Sequence, residues 1–154
     1  GSITAASSSS INDGAAALVM VRASTAAKLG AKPLARIVSH ATHAQEPEWF
    51  ATAPVGATQK ALAKAGWTVK DVDLWEVNEA FAVVPMALMH DLQVPHEIVN
   101  VNGGACALGH PIGASGARIM VTLMYALQAR GLKRGLATLC IGGGEATAVA
   151  LEMM

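Results

Sequence analysis

Residues 98–130 read IVNVNGGACALGHPIGASGARIMVTLMYALQAR, and their order decides the fold class. Ile98–Val101 is a short β-branched run that predicts a strand. From Asn102 to Ala114 the chain is rich in glycine and alanine, with one His110–Pro111 step and no formal charge. Ser115–Arg130 then predicts a helix. Strand, loop and helix in succession form the unit of an α/β layer fold. Glycines at that density free the main chain to approach another group closely.

Working outward, the same alternation recurs. Asp13 can cap a helix over Gly14–Leu29 ended by Gly30. Pro33–His40 predicts a strand, Thr42–Pro54 a loop, and Val55–Ala65 a helix stopped by Gly66. Val72–Val77 predicts another strand, and Asn78–Phe81 opens a helix that must hold Pro85 in its first turns or kink there. The chain closes on a hairpin-like pair, Ala137–Ile141 and Ala146–Glu152, around the turn Gly142-Gly143-Gly144. No internal repeat or low-complexity linker interrupts what reads as one α/β domain.

The chain has 154 residues, of which 53% are hydrophobic and only 14% charged. Soluble domains usually carry roughly 25% charged residues, so apolar surface is expected to be hidden in an enzyme interior, against a partner half, or in an oligomer interface. Net charge is zero and no Lys/Arg cluster stands out, which argues against nucleic acid and anionic membrane surfaces. Ile98–Ala117 lacks acidic and basic residues, yet its asparagines, His110, Pro111 and glycines rule out a membrane span. Cys106 and Cys140 do not make a disulfide framework, and no stretch reads as a signal peptide. The expected setting is reducing and intracellular: cytoplasmic, or mitochondrial in a eukaryote. Gly1-Ser2 reads as a vector remnant and Ile3-Thr4-Ala5 as a strand entered partway, so residues 3–154 are expected to be a piece of a larger protein.

Three segments place polar side chains where predicted strands end, the edge at which open α/β sheets build sites. They are Asn78 in EVNEAF, His110 in LGHP and Cys140 in LCIGGG. Each alone has a plain structural role available: a helix cap, a hydrogen-bonded histidine, an inert core thiol. The combination says more. A cysteine running into three glycines brings a thiol beside backbone N–H groups that can face a ligand oxygen, as in an oxyanion hole. A histidine near it supplies a base or hydrogen-bond donor for acyl chemistry. The rival reading, a His/Cys metal site, lacks any close C-x-x-C or H-x-x-x-H spacing.

The motifs NVNGGACALGHPIGASGARI, EVNEAFA and LCIGGG, together with TAASSSSINDGAAALVM, resemble the C-terminal half of the thiolase family, the acetyl-CoA C-acetyltransferases. The likeness spans nearly the whole chain. It implies a thiolase-like half with a five-stranded mixed sheet and helices on both faces. It also implies Claisen condensation of two acetyl-CoA to acetoacetyl-CoA and CoA, and the reverse thiolysis. Coenzyme A thioesters are then substrates, and no cofactor or metal is required.

By the same resemblance, His110 activates a nucleophilic cysteine and hydrogen-bonds a thioester oxygen, and Cys140 moves the α-carbon proton. Asn78 holds a water in a first oxyanion hole, and the Gly142 N–H belongs to a second. Ser9 is the leading coenzyme A contact, followed by Ala5, Ala80 and Phe81, while Phe50 walls the acyl pocket. EPEWFATAP is most similar to the mitochondrial acetoacetyl-CoA type, although Phe50-Ala51 stands where that type has Phe-Pro. Ser7 and Glu145 also depart from the usual pattern. The expected partners are an N-terminal thiolase half carrying the nucleophilic cysteine, acyl-CoA, and further copies in a dimer or tetramer. The isolated chain is expected to be inactive. The alternative is a non-catalytic acyl-CoA or lipid-binding module of this fold, or a ketoacyl-synthase relative; the intact Asn78, His110 and Cys140 set weighs against it.

Overall fold

The computed structural model describes Gly1 and residues 3–154, so Ser2 of the expected Gly1-Ser2 remnant lies outside the described residues. Four strands, β1 (Ala35–Ala44), β2 (Leu74–Val77), β3 (Arg134–Ile141) and β4 (Glu145–Met153), form one sheet in the order β1-β4-β3-β2. β2 and β3 run parallel, while β4 is antiparallel to both β1 and β3. The helices are α1 (Ala23–Lys28), α2 (Ala53–Ala65), α3 (Val83–Leu92), α4 (Ala105–Leu108) and α5 (Ser115–Arg130).

Period-2 alternation along the strands builds two cores. Trp75 and Val77 of β2, Leu136 and Cys140 of β3, and Ala146 and Ala148 of β4 pack with Ala53, Ala57 and Ala61 of α2. Leu74, Ala137 and Leu151 form the other core with Ile119, Leu123, Ala126 and Leu127 of α5. Those α5 residues recur at helical spacing, giving one apolar stripe. Alanines on α2 let its backbone sit low on the sheet. Both helices stop at left-handed glycines, Gly66 and Gly131, after which Trp67 and Leu132 N–H groups return to Leu62 and Leu127 carbonyls.

The α/β class and the mixed sheet with helices on both faces match expectation, but the sheet has four strands. The predicted Ile98–Val101 strand reduces to a single bridge between Val99 and Trp75. Asn100 takes φ +48, and its side-chain amide accepts from Val77 N–H and donates to Val77 C=O, both at 2.8 Å. A side chain thus replaces the strand that would have covered the β2 edge.

The expected Gly14–Leu29 helix also fails, since only Ala23–Lys28 is helical. The segment ahead of it is pinned to the glycine loop: Ser10 C=O accepts from His110 N–H at 2.8 Å, Asn12 packs on Gly109, and Gly14 on Pro111. The apolar run that follows, from Ala15 to Val21, has no single polar face to turn outward, and a helix needs one side to bury. Val19 stands 96% exposed. In the predicted Thr42–Pro54 loop, β1 extends to Ala44 and a 3-10 turn covers Pro47–Thr52. Asn78–Phe81 precedes α3, so Pro85 lies in the first turn, where no backbone N–H is needed.

Candidate active site

The site lies at the carboxyl ends of the parallel pair β2 and β3. Asn78 follows β2 directly and adds one further rung, its N–H donating to Thr138 C=O at 3.0 Å. Two residues beyond Thr138, Cys140 sits on β3 in the apolar cluster that contains Trp75 and Val77. Asn78 is 1% exposed, and its Nδ2 lies 3.4 Å from His110 Nε2. The other amide atom, Asn78 Oδ1, is buried without a hydrogen-bond partner among the described residues. A buried orphan acceptor at this edge suits a water or ligand donor.

Burial favours the neutral form of both titrating groups. It pushes the Cys140 thiol up, favouring the protonated form. For His110, burial acts first and the Arg118 charge second, and both hold the imidazole below its ordinary range. His110 is therefore an uncharged base at neutral pH. Gly142 stands exposed past the end of β3, where an added Cβ meets open space. Gly144, two residues on, adopts φ +86, and an added Cβ lies 2.2 Å from Gln45 C=O. Only glycine lets the turn approach that loop so closely.

The proposed coenzyme A contacts assemble with one exception. Ser9 N–H and Ser9 Oγ both donate to Ala80 C=O at 3.1 Å, and Ser8 bridges to Phe81. Phe81 meets Phe50 edge to face at 5.8 Å, and Phe50, Ala80 and Phe81 all pack on the cluster holding Cys140. Ala5 stays outside this group, exposed in a 3-10 turn over Ala5–Ser7. Glu145 opens β4 opposite Ala44 and Ile141 and is exposed.

Four site residues escaped the sequence reading. Ser115 Oγ lies 2.5 Å from His110 Nδ1, and a serine at a helix start five residues after His110 was the available signal. Glu79 accepts from Cys106 N–H at 3.0 Å and Asn100 Nδ2 at 2.9 Å, tying the glycine loop to the β2 end. Glu76 is 2% exposed, with Arg118 Nη1 3.7 Å from its Oε2. Glu76 alternates with Trp75 and Val77 and so lies on the opposite face, with Leu74, where α5 covers it; alternation alone reads as an exposed position. Arg118, one turn after Ser115, gave no local sign of a partner on β2. Among the described residues no three His, Cys, Asp or Glu side chains gather as a metal site, and no helix is long and apolar enough to cross a membrane.

Residues 31–153 match the family model described as "Thiolase, C-terminal domain". The chain belongs to the thiolase family. This thiolase domain is 54% identical to a protein named acetyl-CoA acetyltransferase from Allochromatium vinosum, over 100% of the chain and 39% of that relative. A protein of the same name from Escherichia coli K12 is 55% identical, over 100% of the chain and 39% of its own length. The crystal structure of the Bacillus anthracis acetyl-CoA acetyltransferase superposes with a TM-score of 0.96 at 44% identity, covering 99% of this chain and 39% of that one. The thiolase domain thus spans about two fifths of the length of the relatives it matches.

Proposed function

We propose that this thiolase domain is the C-terminal catalytic part of an acetyl-CoA acetyltransferase, which condenses two acetyl-CoA to acetoacetyl-CoA and free CoA and catalyses the reverse thiolysis. One observation carries the reading: the 3.4 Å Asn78–His110 pair occupies the same sheet edge at which the Cys140 strand ends. Packing alone gives no reason for those three side chains to share an edge.

In the condensing direction, His110 Nε2 takes the proton of a nucleophilic cysteine supplied by the rest of the full-length enzyme. The thiolate attacks acetyl-CoA, and CoA sulfur leaves with that proton. Cys140 gives its thiol proton to solvent and, as the thiolate, removes an α-proton from a second acetyl-CoA. The carbanion attacks the enzyme-bound acetyl carbon, forming the carbon–carbon bond and releasing the nucleophile as a thiolate, which takes a proton back from solvent. Hydrogen bonds from the Asn78 and Gly142 region stabilise the oxyanions. In thiolysis Cys140 acts as the acid, and burial favours that thiol form.

Support for a covering N-terminal part comes from the exposed apolar residues Ile11, Val19, Met20 and Val21, a concentration that isolated domains rarely leave in water. The test is thiolysis by the full-length enzyme of acetoacetyl-CoA, its 2-methyl derivative and a long-chain ketoacyl-CoA, in wild type and Phe50→Met. Preference for the short chains, with the order altered in the variant, is expected because one methylene in a shaped pocket shifts selectivity roughly 10- to 200-fold. Absence of any thiolysis, or a wild-type preference for long chains, counts against the reading.

A further inference from the structure

We propose that Ser115 fixes the tautomer of His110 and so aims its basic nitrogen at the reacting thiol; Ser115 is a positioning residue, and the inference rests on the function proposed above. Ser115 is fully buried, and its hydroxyl donates to Pro111 C=O at 3.1 Å. A hydroxyl has one hydrogen. With that hydrogen committed, Ser115 Oγ faces His110 Nδ1 at 2.5 Å only as an acceptor. Nδ1 must therefore carry the proton.

A neutral imidazole protonated at Nδ1 leaves its lone pair on Nε2. Nε2 is the nitrogen that faces Asn78 Nδ2, a donor. The two contacts agree on one tautomer, and that tautomer is the one a general base needs. Among the described residues Ser115 Oγ is the one hydrogen-bond partner of Nδ1, while His110 N–H is held by Ser10 C=O and the charged groups nearby are Arg118 on α5 and, paired with it, Glu76 on β2. The imidazolium formed on proton transfer keeps the same Nδ1–H contact, so Ser115 also favours the product of that step. The hydroxyl is held by the carbonyl four residues back in the first turn of α5, so the helix start itself sets the geometry.

The test uses the full-length enzyme and compares wild type, Ser115→Ala and Ser115→Thr. Steady-state thiolysis of acetoacetyl-CoA gives kcat and KM, and iodoacetamide alkylation of the nucleophilic cysteine is followed against pH, with thermal melting as the check on folding. Loss of the acceptor should lower kcat about 10- to 100-fold with KM within about threefold, the range seen when hydrogen-bond partners that fix the tautomer of a metal-bound histidine are removed. It should also move the alkylation profile to higher pH, since the thiol loses a fully available base and ionises less readily. Ser115→Thr keeps the hydroxyl and should recover both. Wild-type kcat in Ser115→Ala, or a lowered kcat with an unmoved alkylation profile, overturns the proposal while leaving the thiolase reading intact. A wild-type enzyme with neither thiolysis nor pH-dependent alkylation overturns that reading itself.

Discussion

His110 and Cys140 show what burial does to groups of opposite charge type: it depresses the imidazole and raises the thiol, leaving both neutral at pH 7. The acid limb of kcat/KM should therefore lie below the ordinary imidazole value of about 6.5. Arg118→Gln should raise it, because the guanidinium is one of the two causes holding His110 down. An acid limb unmoved by that substitution, in a folded variant, would contradict the assignment. Glu76 behaves in the opposite sense to a surface carboxylate, with burial as the main cause lifting it from 4.5 to about 7, against Arg118 and reinforced by Glu79. Between those two values the folded protein holds a proton that the unfolded chain has lost. Stability from this group therefore falls as pH rises through that window, by at most ~3 kcal/mol. In Glu76→Gln the dependence disappears, so the melting temperature of the variant relative to wild type should rise between pH 5 and pH 8. A constant difference across that range would refute it. Asn78, His110 and Cys140 were legible because each ends a predicted strand or sits beside glycine. Ser115 was not, since a serine opening a helix looks the same whether it caps, packs or orients.

At the scale of elements, the glycine turn between β3 and β4 separates two kinds of glycine. Gly144→Ala forces a side chain into φ +86 and onto Gln45 C=O, which should cost ~2 kcal/mol or more and disturb the loop that carries Phe50. Gly142→Ala meets open space and lies outside the positive-φ set, so its stability should stay within about 0.5 kcal/mol. Thermal melts of both variants decide this; equal losses would mean that the turn is not held by the Gln45 contact. The helix at Ser115–Arg130 and the final strand pair were readable because an apolar stripe or an alternating run faces a sheet that lies within the chain. Ile98–Val101 looked like a strand by composition, but Asn100 enters the left-handed region and pairs with Val77 through its amide, a device that composition cannot show. Ala15–Val21 is apolar all round, a pattern shared by a buried strand and a buried helix, and the residues just ahead of it, Asn12 and Gly14, pack on Gly109 and Pro111 nearly 100 residues away.

For the whole molecule, the apolar composition and the exposed Val19, Met20 and Ile11 agree with the covering part proposed above. The isolated chain should therefore fail to turn over acetoacetyl-CoA. Any thiolysis by it that disappears in Cys106→Ser would show that the nucleophile had been assigned to the wrong part of the enzyme. The proposed function rests on a division of labour, in which His110 would serve the acyl transfer onto the nucleophile and Cys140 only the carbon–carbon step. Its most direct measurement is to follow both half-reactions in full-length Cys140→Ala, by mass spectrometry of the acetylated enzyme after mixing with acetyl-CoA and by the rate of acetoacetyl-CoA cleavage. The variant should still acquire one acetyl group on its nucleophilic cysteine, while cleavage falls about 10²- to 10⁴-fold, the usual contribution of a positioned acid or base. Cleavage at the wild-type rate, or loss of acetylation together with cleavage in a folded variant, would contradict the assignment of Cys140.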